Sequence, residues 1–156
     1  MRRVLVAALL AVLALTPARA AAATLTLISS QAITSSGNTP VSAIPTNTSG
    51  EVKIFVTTVS GTTPQMDLWL ESCQDTAGSN CAPVLATTVS KDPTTITASN
   101  PTVTTNARDI IDAKTSTTAE MFTAAYQVLP TKYIRLRYIV SGTTPSFTLA
   151  AYYNGK

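Results

Sequence analysis

The sequence predicts an all-β fold: an antiparallel, jelly-roll-like β-sandwich of seven to eight short strands. Three observations lead there. Apolar and polar residues alternate through Val52-Lys53-Ile54-Phe55-Val56-Thr57, Met66-Asp67-Leu68-Trp69-Leu70-Glu71, Ile134-Arg135-Leu136-Arg137-Tyr138-Ile139 and Phe147-Thr148-Leu149-Ala150-Ala151. That period of two is the mark of strands with one buried face. Second, Val59-Ser60-Gly61-Thr62-Thr63-Pro64 recurs as Val140-Ser141-Gly142-Thr143-Thr144-Pro145, each time between two such runs. Third, turn residues punctuate the chain at short intervals, and no long stretch carries a helical period.

The elements follow in order. Residues 1–20 read as a secretory signal peptide: Arg2 and Arg3, an apolar run over 4–15, then Ala18-Arg19-Ala20 as a small-x-small cleavage site. The run is too short to span a bilayer comfortably, where about 20 residues are needed. Residues 21–50 form an N-terminal strand, with Leu25, Leu27 and Ile33 inward, and a loop rich in Ser, Asn, Thr and Pro. Residues 51–156 form the sandwich body, and 21–156 a single domain. The body opens with a hairpin at 51–73, its turn on the first repeat. A strand is expected at 84–89 and a short one near Ile96. Residues 109–120 suit either a helical turn or a strand. A strand at 121–129 and a second hairpin at 132–153, turning on the second repeat, complete it.

The faces raise two questions. Phe55, Thr57 and Val59 share one side of their strand and Val52, Ile54 and Val56 the other, so both sides are apolar. Such a strand is either centrally buried or offers one face to a partner. Ile54 and Val56 stand where the second copy has Arg135 and Arg137, which makes them interface candidates. Trp69 is the third, since it shares a face with Asp67 and Glu71, opposite Met66, Leu68 and Leu70. An aromatic there suits an interface or sugar platform, or else covers its sheet.

Cys73 and Cys81 are the only cysteines. In an exported chain they are expected to form a disulfide. The ring they close is short, and by chain entropy it contributes roughly 2.5 kcal/mol. It would make either a displayed binding loop or a stapled hairpin tip.

Charge and chemistry exclude much. Three of the eleven basic residues lie within 1–20 and none of the eight acids does, so the remainder is neutral. No cluster of Lys and Arg points to nucleic acid. The chain has no histidine, which removes the commonest general base and metal ligand. Asp109 and Asp112 are three apart and Asp67 and Glu71 lie on one strand face, and nothing in the spacing selects a glycosidase pair. No calcium loop or phosphate-binding glycine loop occurs. No catalytic residue, metal or cofactor is expected.

The strand, Val-Ser-Gly-Thr-Thr-Pro, strand pattern and the closing stretch from Lys132 to Leu149 resemble small β-sandwich structural proteins of tailed phages and prophages, of the capsid-accessory or tail-associated type. The resemblance covers about residues 51–153 and implies a non-enzymatic virion or assembly component. The signal segment and the cysteine pair depart from that pattern. The expectation is an exported structural subunit, secreted or periplasmic or at the cell surface. It would assemble with itself or with another structural protein, and touch membrane only through a retained signal segment. The alternative is a glycan- or surface-binding module using Trp69 with Tyr126, Tyr152 or Tyr153.

Overall fold

The structure, a computed structural model, describes residues 24–45, 49–93, 102–115 and 117–156. The expected signal peptide and the strand near Ile96 lie outside these residues. Among these residues ten strands follow in chain order: β1 (Thr24–Ile33), β2 (Gly37–Asn38), β3 (Ser42–Ala43), β4 (Gly50–Cys73), β5 (Cys81–Pro83), β6 (Ala86–Pro93), β7 (Thr102–Ala107), β8 (Asp109–Lys114), β9 (Glu120–Tyr126) and β10 (Tyr133–Gly155). All the pairings are antiparallel. No described residue is helical, so the fold is all-β, and the ambiguous segment after Arg108 is strand β8.

The two expected hairpins are corrected. β4 and β10 do not turn back at their repeats. They run against each other for their whole lengths, from Tyr133 opposite Cys73 to Gly155 opposite Gly50. The repeats meet in the middle of this ribbon, with Thr62 opposite Thr143. Both copies take the same backbone conformation: φ is +112° at Gly61 and Gly142, and +48° at Thr63 and Thr144. In each copy the αL threonine donates its hydroxyl to the preceding carbonyl, at 2.8 Å in both cases. The copies are therefore related by an approximate local two-fold axis. A glycine at positive φ serves a bulge as well as a turn, which is why the local sequence reads as either. In place of seven to eight short strands the described residues hold ten, two of them 24 and 23 residues long.

A bulge also explains the unequal repeats. Thr58 faces Thr148 while Val56 faces Leu149, so Thr57 has no opposite residue. One inserted residue moves every later side chain to the other face. Val52, Ile54 and Val56 are thereby buried, whereas Arg135 and Arg137 at the equivalent places of β10 stay on the outer face.

The ribbon threads both layers of a sandwich. One layer runs β1-β10-β4-β9-β6-β7, using the first half of β4 and the last half of β10. The other halves carry β8 and β5 on one side and β2 and β3 on the other. β7 is separated from β4 by β6 and β9, yet a bend at Arg108 leads straight into β8, which pairs with β4. So short a step requires the second layer to lie across the face of the first. The core is shared accordingly: Val52, Ile54, Phe147 and Leu149 from one layer pack in one cluster with Leu68, Leu70, Ile134 and Leu136 from the other. Leu27 and Ile33 of β1 join it, and Leu25 packs at its margin, as their spacing implies.

Candidate functional site: an interaction surface

Ile54 and Val56 are fully enclosed between β9 and β10. The doubly apolar strand is central, and the Phe55 ring on its outer face packs edge-on to Tyr152 at 6.2 Å. Neither Ile54 nor Val56 offers surface to a partner.

Trp69 is only 6 % exposed, although it lies on the outer face. The Arg108 guanidinium sits 5.0 Å from its ring centre and that of Arg137 5.8 Å. Both distances suit cation–π attraction. The indole N–H donates to Glu71 Oε1 at 3.3 Å. The other carboxylate oxygen of Glu71 accepts from Arg135 Nε at 2.7 Å, and Arg135 Nη1 donates to the Gly78 carbonyl at 3.1 Å. The cluster covers the sheet and ties the 74–80 loop to it. Glu71 and Arg135 are opposite each other in register, as are Trp69 and Arg137. Arg108 comes from the β7–β8 corner, and nothing local in the sequence brings it to Trp69.

Cys73 and Cys81 are bonded, S–S 2.04 Å, and face each other at the head of the β4–β5 hairpin. Gln74 N donates to Asn80 O at 3.0 Å across the hairpin, and Gly78 N to Asp75 Oδ1 at 2.8 Å. The loop is a stapled tip with its own hydrogen bonds. A disulfide is consistent with an oxidising compartment. No described helix is long and apolar enough to cross a membrane.

Of the tyrosines weighed for a glycan platform, Tyr126 and Tyr153 are core residues and Tyr152 is half-buried against Phe55. Asp109 is held by Arg108 through two 2.8 Å contacts. Among the described residues no group of three or more Cys, Asp or Glu is placed to hold a metal ion.

Two concavities stand out among the described residues. A cleft of about 400 Å³ opens where β8 crosses β6 and β9, floored by Val89, Ile110 and Phe122. One wall is an ion cluster. Glu120 lies 2.6 Å from Lys114 Nζ and 2.9 Å from Lys91 Nζ. The Lys114 side chain is 1 % exposed and also donates to the Thr118 carbonyl at 3.0 Å. Burial pushes the Glu120 carboxyl up, and the two ammoniums outweigh that and hold it below the usual glutamate range. These charges satisfy one another. The second concavity, about 540 Å³, lies beside the disulfide against Pro83, Val84, Leu85 and Pro130, where Leu85 is 62 % exposed.

What stays open is backbone. β1 and β7 end the larger layer, and no described strand covers their outer sides. The ten residues of β1 and the six of β7 include no charge and no proline. Native edges are commonly blunted by such residues. β1 carries two register shifts, which twist it without closing it.

Comparison of the chain with family models, with curated proteins and with solved structures finds no match.

Proposed function

We propose that this chain is an exported, non-catalytic β-sandwich that acts as a structural, self-assembling subunit of an extracellular filament, cell surface or virion. The observation that carries this reading is the pair of uncharged edges, β1 and β7, that no described strand covers on the larger layer. Edges of that kind are templates for another chain. Export is supported by the signal-like residues 1–20 and by the disulfide. A structural rather than chemical role is supported by the absence of histidine and by acids that are either paired or scattered. The glycan-binding alternative loses support because Trp69 is roofed by two arginines and two of its three tyrosines are internal.

The test is sizing of the exported protein by light scattering across a wide concentration range, with negative-stain imaging of the same samples. Growth in mass with concentration, and regular particles, are expected. A protein that stays monomeric at millimolar concentration would sink the proposal.

A further inference from the structure

We propose that copies of this chain join head to tail, the outer edge of β1 in one copy pairing with the outer edge of β7 in the next. The partner is a second copy, and the product is one antiparallel sheet that continues from subunit to subunit. This rests on the self-assembly reading above and specifies its contact.

The direction of the strands supplies the main argument. Six described strands make up the larger layer, in the order β1-β10-β4-β9-β6-β7, and each neighbour is antiparallel. An even number of alternating strands leaves its two edges running in opposite directions. A copy shifted sideways without being turned over therefore brings its β1 antiparallel to the first copy's β7. An odd number would have offered only a parallel join, which is slightly weaker per residue.

The chemistry of the edges agrees. β1 exposes Thr24, Thr26, Ser29, Ser30 and Gln31, and β7 exposes Thr104, Thr105 and Asn106. Hydroxyl and amide side chains across a strand pair attract each other modestly and repel nothing. Outside residues 1–20 the chain carries equal numbers of acidic and basic residues, so little long-range repulsion opposes contact between copies.

The two edges are different surfaces, so the join is heterologous and stays open at both ends. Six strands at 4.7–4.9 Å place successive copies roughly 28–29 Å apart along the sheet. A twist of 20–25° per strand turns each copy by roughly 120–150° from the last. The expected object is a twisted filament.

The experiment uses the full exported chain and two edge variants. Ser29→Lys with Gln31→Lys charges β1, and Thr104→Lys with Thr105→Lys charges β7. All four side chains are exposed. Far-UV circular dichroism and Trp69 fluorescence check that each variant folds. Wild-type protein is expected to lengthen with concentration, and each variant alone to need about tenfold or more protein before it associates. An equimolar mixture is expected to stop at dimers, because each variant keeps the edge the other lacks. Amide exchange in wild-type assemblies is expected to slow about tenfold or more in β1 and β7, and this readout stands even where a variant misfolds.

If wild type assembles and both folded variants assemble equally well, or if β1 and β7 amides are not slowed, the edge contact is wrong and the self-assembly reading survives. If the β7 variant still dimerises while the β1 variant does not, the contact is a two-fold β1–β1 pair and the head-to-tail proposal falls. A monomeric wild type overturns both readings.

Discussion

Single residues set the strain and the dissatisfaction in this molecule. The Tyr126 hydroxyl is buried with no hydrogen-bond partner among the described residues, and burial raises its pKa because the phenolate could not be solvated there. A buried donor left unmade costs about 1–3 kcal/mol. Tyr126→Phe removes that atom and keeps the ring, so chemical denaturation should show a gain of about 1 kcal/mol; a loss of that size would mean the hydroxyl does have a partner. The glycines at the ribbon's middle behave oppositely. A Cβ on Gly61 would stand 2.6 Å from the Thr144 carbonyl oxygen, and one on Gly142 2.5 Å from that of Thr63. Both oxygens are backbone and cannot swing away, and both φ values are +112°. Gly61→Ala and Gly142→Ala should each destabilise by about 2–4 kcal/mol. The local two-fold makes the two costs nearly equal, and a neutral result at either position would contradict the paired geometry.

At the scale of elements, β6, β8 and β9 are held by charge as well as by pairing. Glu120 on β9 joins Lys114 on β8 to Lys91 on β6. Its carboxyl titrates lower in the folded chain than unfolded, so between those two values the unfolded state binds more protons and stability rises with pH. The contribution is complete above the usual glutamate range, near 4.3, and is lost as pH falls through the lower folded value. Glu120→Gln should flatten that acidic limb by up to one proton and, by removing a carboxylate from beside the buried Lys114 ammonium, cost about 3 kcal/mol at pH 7. Denaturation curves from pH 3 to 7 test both; an unchanged acidic limb would remove Glu120 from the account. Elements also mark how far the sequence could be read. The alternation that identified strands in β4 and β10 set Leu136, Phe147 and Leu149 apart from their polar neighbours, and all three are buried. It could not say which strand faces which, because pairing partners are set by contacts across the chain and not by local pattern. A glycine-threonine-threonine-proline segment satisfies a turn and a double bulge alike, so two hairpins were expected where one ribbon formed. Thr57 hid the rest: an unpaired threonine looks like any other, yet it decides that Ile54 is internal and Arg135 external. For Trp69, the polar face was legible from spacing. Its arginine cover was not, since Arg108 arrives from 39 positions away in the chain.

The whole molecule is organised by the ribbon, and this predicts how it unfolds. β4 and β10 are each divided between the two layers, so neither layer owns a complete set of strands. Loss of the larger layer would strip β9 and β1 from the ribbon and uncover core side chains that the smaller layer needs, because a single cluster spans both. A sandwich of two separable sheets would show two transitions; this one should show a single cooperative unfolding. The protein carries a built-in reporter, since its one tryptophan, Trp69, lies in the half of β4 that belongs to the smaller layer. Ile54→Ala empties volume in the larger layer and Leu70→Ala in the smaller, each at a fully buried site, and each should cost about 2–5 kcal/mol. In a cooperative molecule the Trp69 fluorescence transition shifts for Ile54→Ala as fully as the far-UV circular dichroism does, although that substitution lies in the other layer. If the fluorescence midpoint instead stays at its wild-type value while circular dichroism moves, the layers unfold independently, and the continuity of β4 and β10 does not couple them.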